Sequence, residues 1–125
     1  MKKLQALFFY VFVCITAISC MHNDHNINIT YSEDDHYYSM NAHFPKSETR
    51  NVEEYMDSRI GRKRNISLAN TQTDATLTLD DHTIFYMKKY PGFVEIKLDK
   101  NVNSDDSYYE IKSMCEGIKK LLAHN

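Results

Sequence analysis

Residues Ala75–Lys100 read ATLTLDDHTIFYMKKYPGFVEIKLDK, and their pattern decides the fold. Ala75, Leu77 and Leu79 alternate with polar residues, which sends apolar side chains to one face of a strand. Asp80-Asp81 turns the chain, because aspartates bond locally to backbone and do not pack. The run Thr83–Tyr90 returns, and Pro91-Gly92 is a two-residue turn suited to a tight connection. Val94, Ile96 and Leu98 then point inward, with Glu95 and Lys97 outward. The stretch is expected to form a three-stranded antiparallel meander with one wet face.

Upstream, INITYS (Ile27–Ser32) alternates Ile27, Ile29 and Tyr31 against polar residues, the signature of a half-buried strand. Glu33-Asp34-Asp35 is a turn, and HYYSMNAHF alternates again with Tyr38, Met40, Ala42 and Phe44 on one face. The two strands make a hairpin, ended by Pro45, which cannot donate to a ladder. Ser47 or Thr49 is placed to cap a helix carrying Val52, Tyr55, Met56 and Ile60, with Gly61 where a C′ glycine belongs. RKRNISLANTQTD reads as a polar, basic loop with room for a short strand around Ile66 and Leu68.

Downstream, Ser104 and Ser107 with Asp105 and Asp106 offer a cap and first-turn acids for a final helix. Its apolar stripe is Tyr108, Ile111, Cys115, Ile118 and Leu122, and Lys119, Lys120 and His124 lie near its negative end. Gly117 costs that helix about 1 kcal/mol against alanine, and its bare backbone permits close packing on the sheet. The order is β-β-α-β-β-β-α. This is an α+β domain: an antiparallel sheet of about five strands with two helices packed on it. About a hundred residues make one domain, assigned to 27–125.

The start of the chain follows another logic. Lys2 and Lys3 precede an apolar run over Leu4–Ile18, too short for the ~20 residues of a membrane span and close to a secretory signal core. The run ends in Ala17-Ile18-Ser19-Cys20, which resembles the lipobox of bacterial lipoproteins. That family usually carries Leu three residues before the cysteine, where this chain has Ala17. The same small residues also suit an ordinary signal peptidase. The resemblance implies a signal peptide over residues 1–19, a diacylglyceryl group on the sulfur of Cys20, palmitate among the acyl chains, and attachment to the cell envelope at the outer membrane. Residues 20–26 would then be a lipid-anchored tether. The six residues MHNDHN reach at most roughly 20 Å, so the domain is expected to sit close to its membrane.

Of three cysteines, Cys14 leaves with the signal peptide. An acylated Cys20 leaves Cys115 as a buried free thiol; an unmodified Cys20 leaves a Cys20–Cys115 bridge open. Removing residues 1–19 takes two lysines and no acid, so the formal charge passes from −2 to −4. That balance implies neither nucleic acid nor anionic lipid as a partner.

Several constellations bear on chemistry. Asp34-Asp35-His36 and Asp80-Asp81-His82 each pair a carboxylate with an imidazole, as acid–base or metal sites do, yet both stand where hairpin turns are expected. His22, Asp24 and His25, near Met21, have metal-site spacing but belong to the tether. Tyr37, Tyr38, Met40 and His43 include haem-ligating residue types, but Tyr38 and Met40 share one strand face and His43 takes the other. Nine tyrosines and no tryptophan favour protein or glycan contacts over a wet sheet face. Arg59, Arg62, Lys63 and Arg64 form a dense basic cluster, which suits the negative end of a helix or headgroup or partner contacts. No phosphate loop, G-x-S-x-G, H-E-x-x-H or C-x-x-C occurs. The expected function is a membrane-anchored, non-enzymatic binding module with no cofactor and an unknown protein or glycan partner. The alternative is a small envelope enzyme or a metal- or haem-binding protein using the Asp-His pairs.

Overall fold

The computed structural model describes residues 26–61 and 72–123. The expectations for Cys20, the tether histidines, Arg62, Lys63, Arg64 and a strand at Ile66–Leu68 fall outside the described residues. The elements are β1 (Asn28–Glu33), β2 (Tyr37–His43), α1 (Thr49–Ile60), β3 (Thr73–Thr78), β4 (Ile84–Tyr90), β5 (Phe93–Asp99) and α2 (Asp105–Ala123). Short 3₁₀ turns at Lys46–Glu48 and Lys100–Val102 lead into the two helices. The fold is α+β in the expected order, a five-stranded antiparallel sheet with two helices.

The sheet order is β1-β2-β5-β4-β3. The last strand therefore lies between the N-terminal hairpin and its own meander, paired to β2 from Tyr37↔Asp99 to His43↔Phe93. Alternation does the rest. Tyr38, Met40 and Ala42 of β2, Phe85 and Met87 of β4, and Val94, Ile96 and Leu98 of β5 all bury on one face. Against them pack Val52, Met56 and Ile60 of α1 and Ile111, Met114, Cys115, Ile118 and Leu122 of α2. Methionines at 40, 56, 87 and 114 are all fully buried; their unbranched side chains fill the irregular space between helices and sheet.

Several local expectations are corrected. Helix α1 begins after Glu48 with no side-chain cap; Thr49 Oγ1 instead accepts a hydrogen bond from Gly92 N–H at 2.9 Å, fastening the helix start to the β4–β5 turn. Gly61 keeps right-handed helical geometry (φ −61°), so it is no left-handed C′ residue. Gly117 packs on α1 rather than on the sheet: a Cβ there would stand 1.7 Å from the Tyr55 hydroxyl. Arg59 reinforces that contact, donating to Tyr55 Oη at 2.8 Å and to Ser113 Oγ at 3.1 Å. At the other end Ser104 does cap α2, accepting from Ser107 N–H at 3.1 Å.

One inward position of β4 breaks the apolar pattern. Lys89 faces the core, and its ammonium meets Glu53 Oε2 of α1 at 2.7 Å, with side-chain exposures of 1% and 7%. Removing one member of such a pair leaves a desolvated charge, whereas an apolar replacement of both is close to neutral. Lys89→Ala is expected to cost about 3–5 kcal/mol, and Lys89→Met with Glu53→Leu to recover most of it. Urea midpoints decide; a single variant as stable as the double would show that the pair does not hold α1 to the sheet.

Candidate functional site

The helices cover β2, β5 and β4, and β1 is left at the margin, with Ile29 and Tyr31 only partly buried. Between β1 and the second half of α2 lies an open groove of about 660 Å³, lined by Tyr31, Glu33, Tyr38, Lys112, Glu116, Lys119, Lys120 and Ala123. That volume lies within the range of small ligand sites.

Each wall has a local cause. Tyr31, Glu33 and Tyr38 share the inner face because they alternate along β1 and pair across the β1–β2 ladder, Glu33↔Tyr38 and Tyr31↔Met40. Tyr31 Oη donates to the Cys115 carbonyl at 3.2 Å, tying the strand to the helix. Glu33 is gripped from two sides. It takes a 2.7 Å ion pair from Lys100, a 3.4 Å one from Lys112 and a short hydrogen bond from the Tyr108 hydroxyl. Those donors, Lys100 first, hold its carboxyl at about 2. Lys119 and Lys120 stand exposed on the rim, with no ion pair among the described residues.

Tyr38 is the odd member. It is 2% exposed, its ring meets Tyr108 edge-on at 6.1 Å, and its solvent-inaccessible hydroxyl finds no oxygen or nitrogen partner among the described residues, having only the Cys115 thiol beside it. Burial pushes its hydroxyl well above the ordinary tyrosine range. The same cause raises Tyr31 and Cys115 to about 12 each. Every resolved shift in the groove moves its group away from neutrality. At pH 7 Tyr31, Tyr38 and the Cys115 thiol keep their protons and Glu33 keeps its charge.

The Asp-His triplets are turns. Asp34 Oδ1 accepts from the backbone N–H of His36 and of Tyr37, both at 2.8 Å. In the second triplet His82 N–H donates to the Leu79 carbonyl and His82 adopts φ +70°, a three-residue hairpin loop with its last residue left-handed. Both lie at the same end of the sheet, yet no group of three His, Cys, Asp or Glu among the described residues is arranged around a metal position. Of the haem-type residues, Tyr38 and Met40 are in the core and Tyr37 and His43 are exposed on the opposite face. On that wet face Tyr90 stacks on Phe93 at 4.8 Å, and His43 closes on Phe93 from the other side at 4.8 Å. Tyr37 and Tyr90 remain exposed there. Cys115 is a buried free thiol.

Sequence reasoning placed Tyr31 and Tyr38 inward but missed the groove. Glu33 reads as a turn acid and Lys119 and Lys120 as helix-end cations; only the placement of α2 over β1 brings them together. Comparison with protein-family models, with curated proteins and with solved structures finds no match for this chain.

Two outcomes are expected. A poorly satisfied buried hydroxyl costs about 1–3 kcal/mol, and a thiol is a weak partner, so Tyr38→Phe should raise the melting midpoint; a lowered midpoint would mean that the contact with Cys115 satisfies the hydroxyl. Glu33 has a folded pKa below its unfolded value, so its contribution is complete above about pH 4.5 and is lost as pH falls towards 2. Glu33→Gln should thus be less stable than the parent at pH 7 and converge with it near pH 2 in urea titrations. A constant gap at every pH would contradict this.

Proposed function

We propose that this chain is a small lipid-anchored binding module of the bacterial envelope, held at the outer membrane through Cys20 and acting without catalysis. The observation that carries the binding reading is the groove of about 660 Å³ between β1 and α2, rimmed by Lys119 and Lys120, which have no ion pair among the described residues. The non-enzymatic reading draws support from Tyr31, Cys115 and Glu33, whose shifts all move them away from neutral pH. The Asp-His pairs lend the enzyme alternative no geometry, since Asp34 is committed to backbone N–H groups and the second triplet closes a hairpin. The anchor reading draws on the lipobox resemblance of Ala17-Ile18-Ser19-Cys20.

Anchor and groove are tested separately. Cys20→Ala should move the protein from the membrane to the soluble fraction, because several acyl chains at ~0.8 kcal/mol per buried CH₂ hold stably and none would remain. A mature mass without acyl chains, or membrane association that survives the substitution, removes the lipoprotein reading. The groove reading requires that Lys119→Glu with Lys120→Glu abolish cross-linking to envelope partners that the parent captures; unchanged partners would move the site elsewhere.

A further inference from the structure

Two features of β1 meet at the groove. The first is its backbone. Asp34 N–H bonds to the Tyr37 carbonyl at 3.0 Å, and this fixes the alternation of the β1–β2 ladder. Asn28, Thr30 and Ser32 turn their peptide groups towards β2, so Ile29, Tyr31 and Glu33 turn theirs to the outer edge. Among the described residues no strand pairs with that edge. Asn28–Ser32 holds no proline, lysine or other charge, the devices that keep an exposed edge from templating another strand, and the strand's one charge, Glu33, is drawn to Lys100, Lys112 and Tyr108.

The second feature is register. Glu33 meets Tyr108 and Lys112, and Tyr31 meets Cys115, so α2 runs antiparallel to β1 across the groove. One helical turn advances about 5.4 Å and two strand residues about 6.8 Å. A strand laid along the edge would therefore lower every second side chain opposite a successive turn of α2. One such side chain would lie beside Tyr31, and the next, towards Ile29, beside Lys119 and Lys120. Charge points the same way. Glu33 is already matched by Lys100 and Lys112, which leaves Glu116 against two rim lysines.

We infer that the β1 edge and the groove beside it take an extended acidic peptide segment of a partner protein, added as a sixth strand. Its main chain bonds Ile29, Tyr31 and Glu33. One inward side chain packs against Tyr31, and an Asp or Glu two residues away meets Lys119 and Lys120. Main-chain pairing supplies affinity and the alternate pockets supply selectivity, the logic of strand addition. The inference rests on the groove being the binding site and specifies what enters it.

The test is selection on the mature chain in detergent from a displayed library of random linear peptides about ten residues long, roughly one to two strand lengths. Enriched peptides should alternate with period two and carry an acid at an inward position. Their binding should weaken about tenfold or more with Lys119→Glu plus Lys120→Glu, and by a similar factor when alternate peptide amides of one parity, not the other, are N-methylated. Binding that depends on the lysines but tolerates N-methylation at both parities overturns strand addition and keeps the groove as the site. Binding indifferent to Lys119 and Lys120 overturns both. Failure to enrich any peptide, or pairing of β1 with a second copy of the chain that excludes peptide, overturns the inference as well.

Discussion

The rest of the structure depends on β5 lying between two hairpins that have no other connection within the sheet. Its Val94, Ile96 and Leu98 are buried, and each pairs on one side with β2 and on the other with β4 or its extension. The Pro91-Gly92 turn sets its register, with Gly92 at φ +83° supplying the positive φ that a proline-led turn of this kind requires. A slip of one residue would turn Glu95 and Lys97 into the core. The same turn is held from outside: Gly92 donates to Thr49 Oγ1, and its carbonyl accepts from Phe44 N–H. Thus one connection fixes the meander, the exit of β2 and the start of α1 together. The opposite end of β5 is sealed by Asn103, whose side chain bonds Ile84 N–H and C=O and the Asp99 carbonyl, extending the ladder without a strand residue.

Strands and helices were legible in the sequence because periodicity is a local signal and most inward positions are apolar. Tyr38, Met40, Ala42 and Phe44 bury as their alternation indicates. The exceptions are polar residues that bury with a partner from a distant element. Lys89 has the right parity to face inward, yet nothing local says that Glu53 waits for it. Ser107 reads as part of a cap but reaches Thr83 Oγ1 at 2.7 Å, in a buried hydroxyl pair that locks α2 to the β3–β4 loop. Gly117 reads as a helix flaw, and its use becomes visible only with Tyr55 of α1 above it. The pairing of β2 with β5 is non-local in the same sense, since no turn joins them.

The groove is a consequence of this arithmetic. Two helices cover three central strands, and a fourth inner-face column, that of β1, falls under the edge of α2. Tyr38 lies at the boundary, in the core yet lining the groove. Its buried hydroxyl has only the Cys115 thiol beside it, and phenylalanine would satisfy the packing without the polar penalty. Glu33 shows the contrasting solution, a carboxylate at the same boundary with three donors around it. The two residues pair directly across the β1–β2 ladder.

The position of β1 in the chain gives the groove an orientation if Cys20 carries the anchor. Such an anchor would leave six residues before Ile27, with a reach of at most roughly 20 Å, and would set the Ile29 end of β1 towards the membrane side of the domain. That is also the end over which Lys119 and Lys120 stand, since α2 runs antiparallel to β1 from Tyr108 towards Ala123. The Glu33 end, closed by its ring of donors, then faces away from the membrane. A partner reaching the lysines would meet the domain close to the lipid surface, and a long flexible stalk would have lost that constraint. With Cys20 as the anchor, a short tether ahead of an edge strand would couple the place of anchoring to the direction from which the groove is entered.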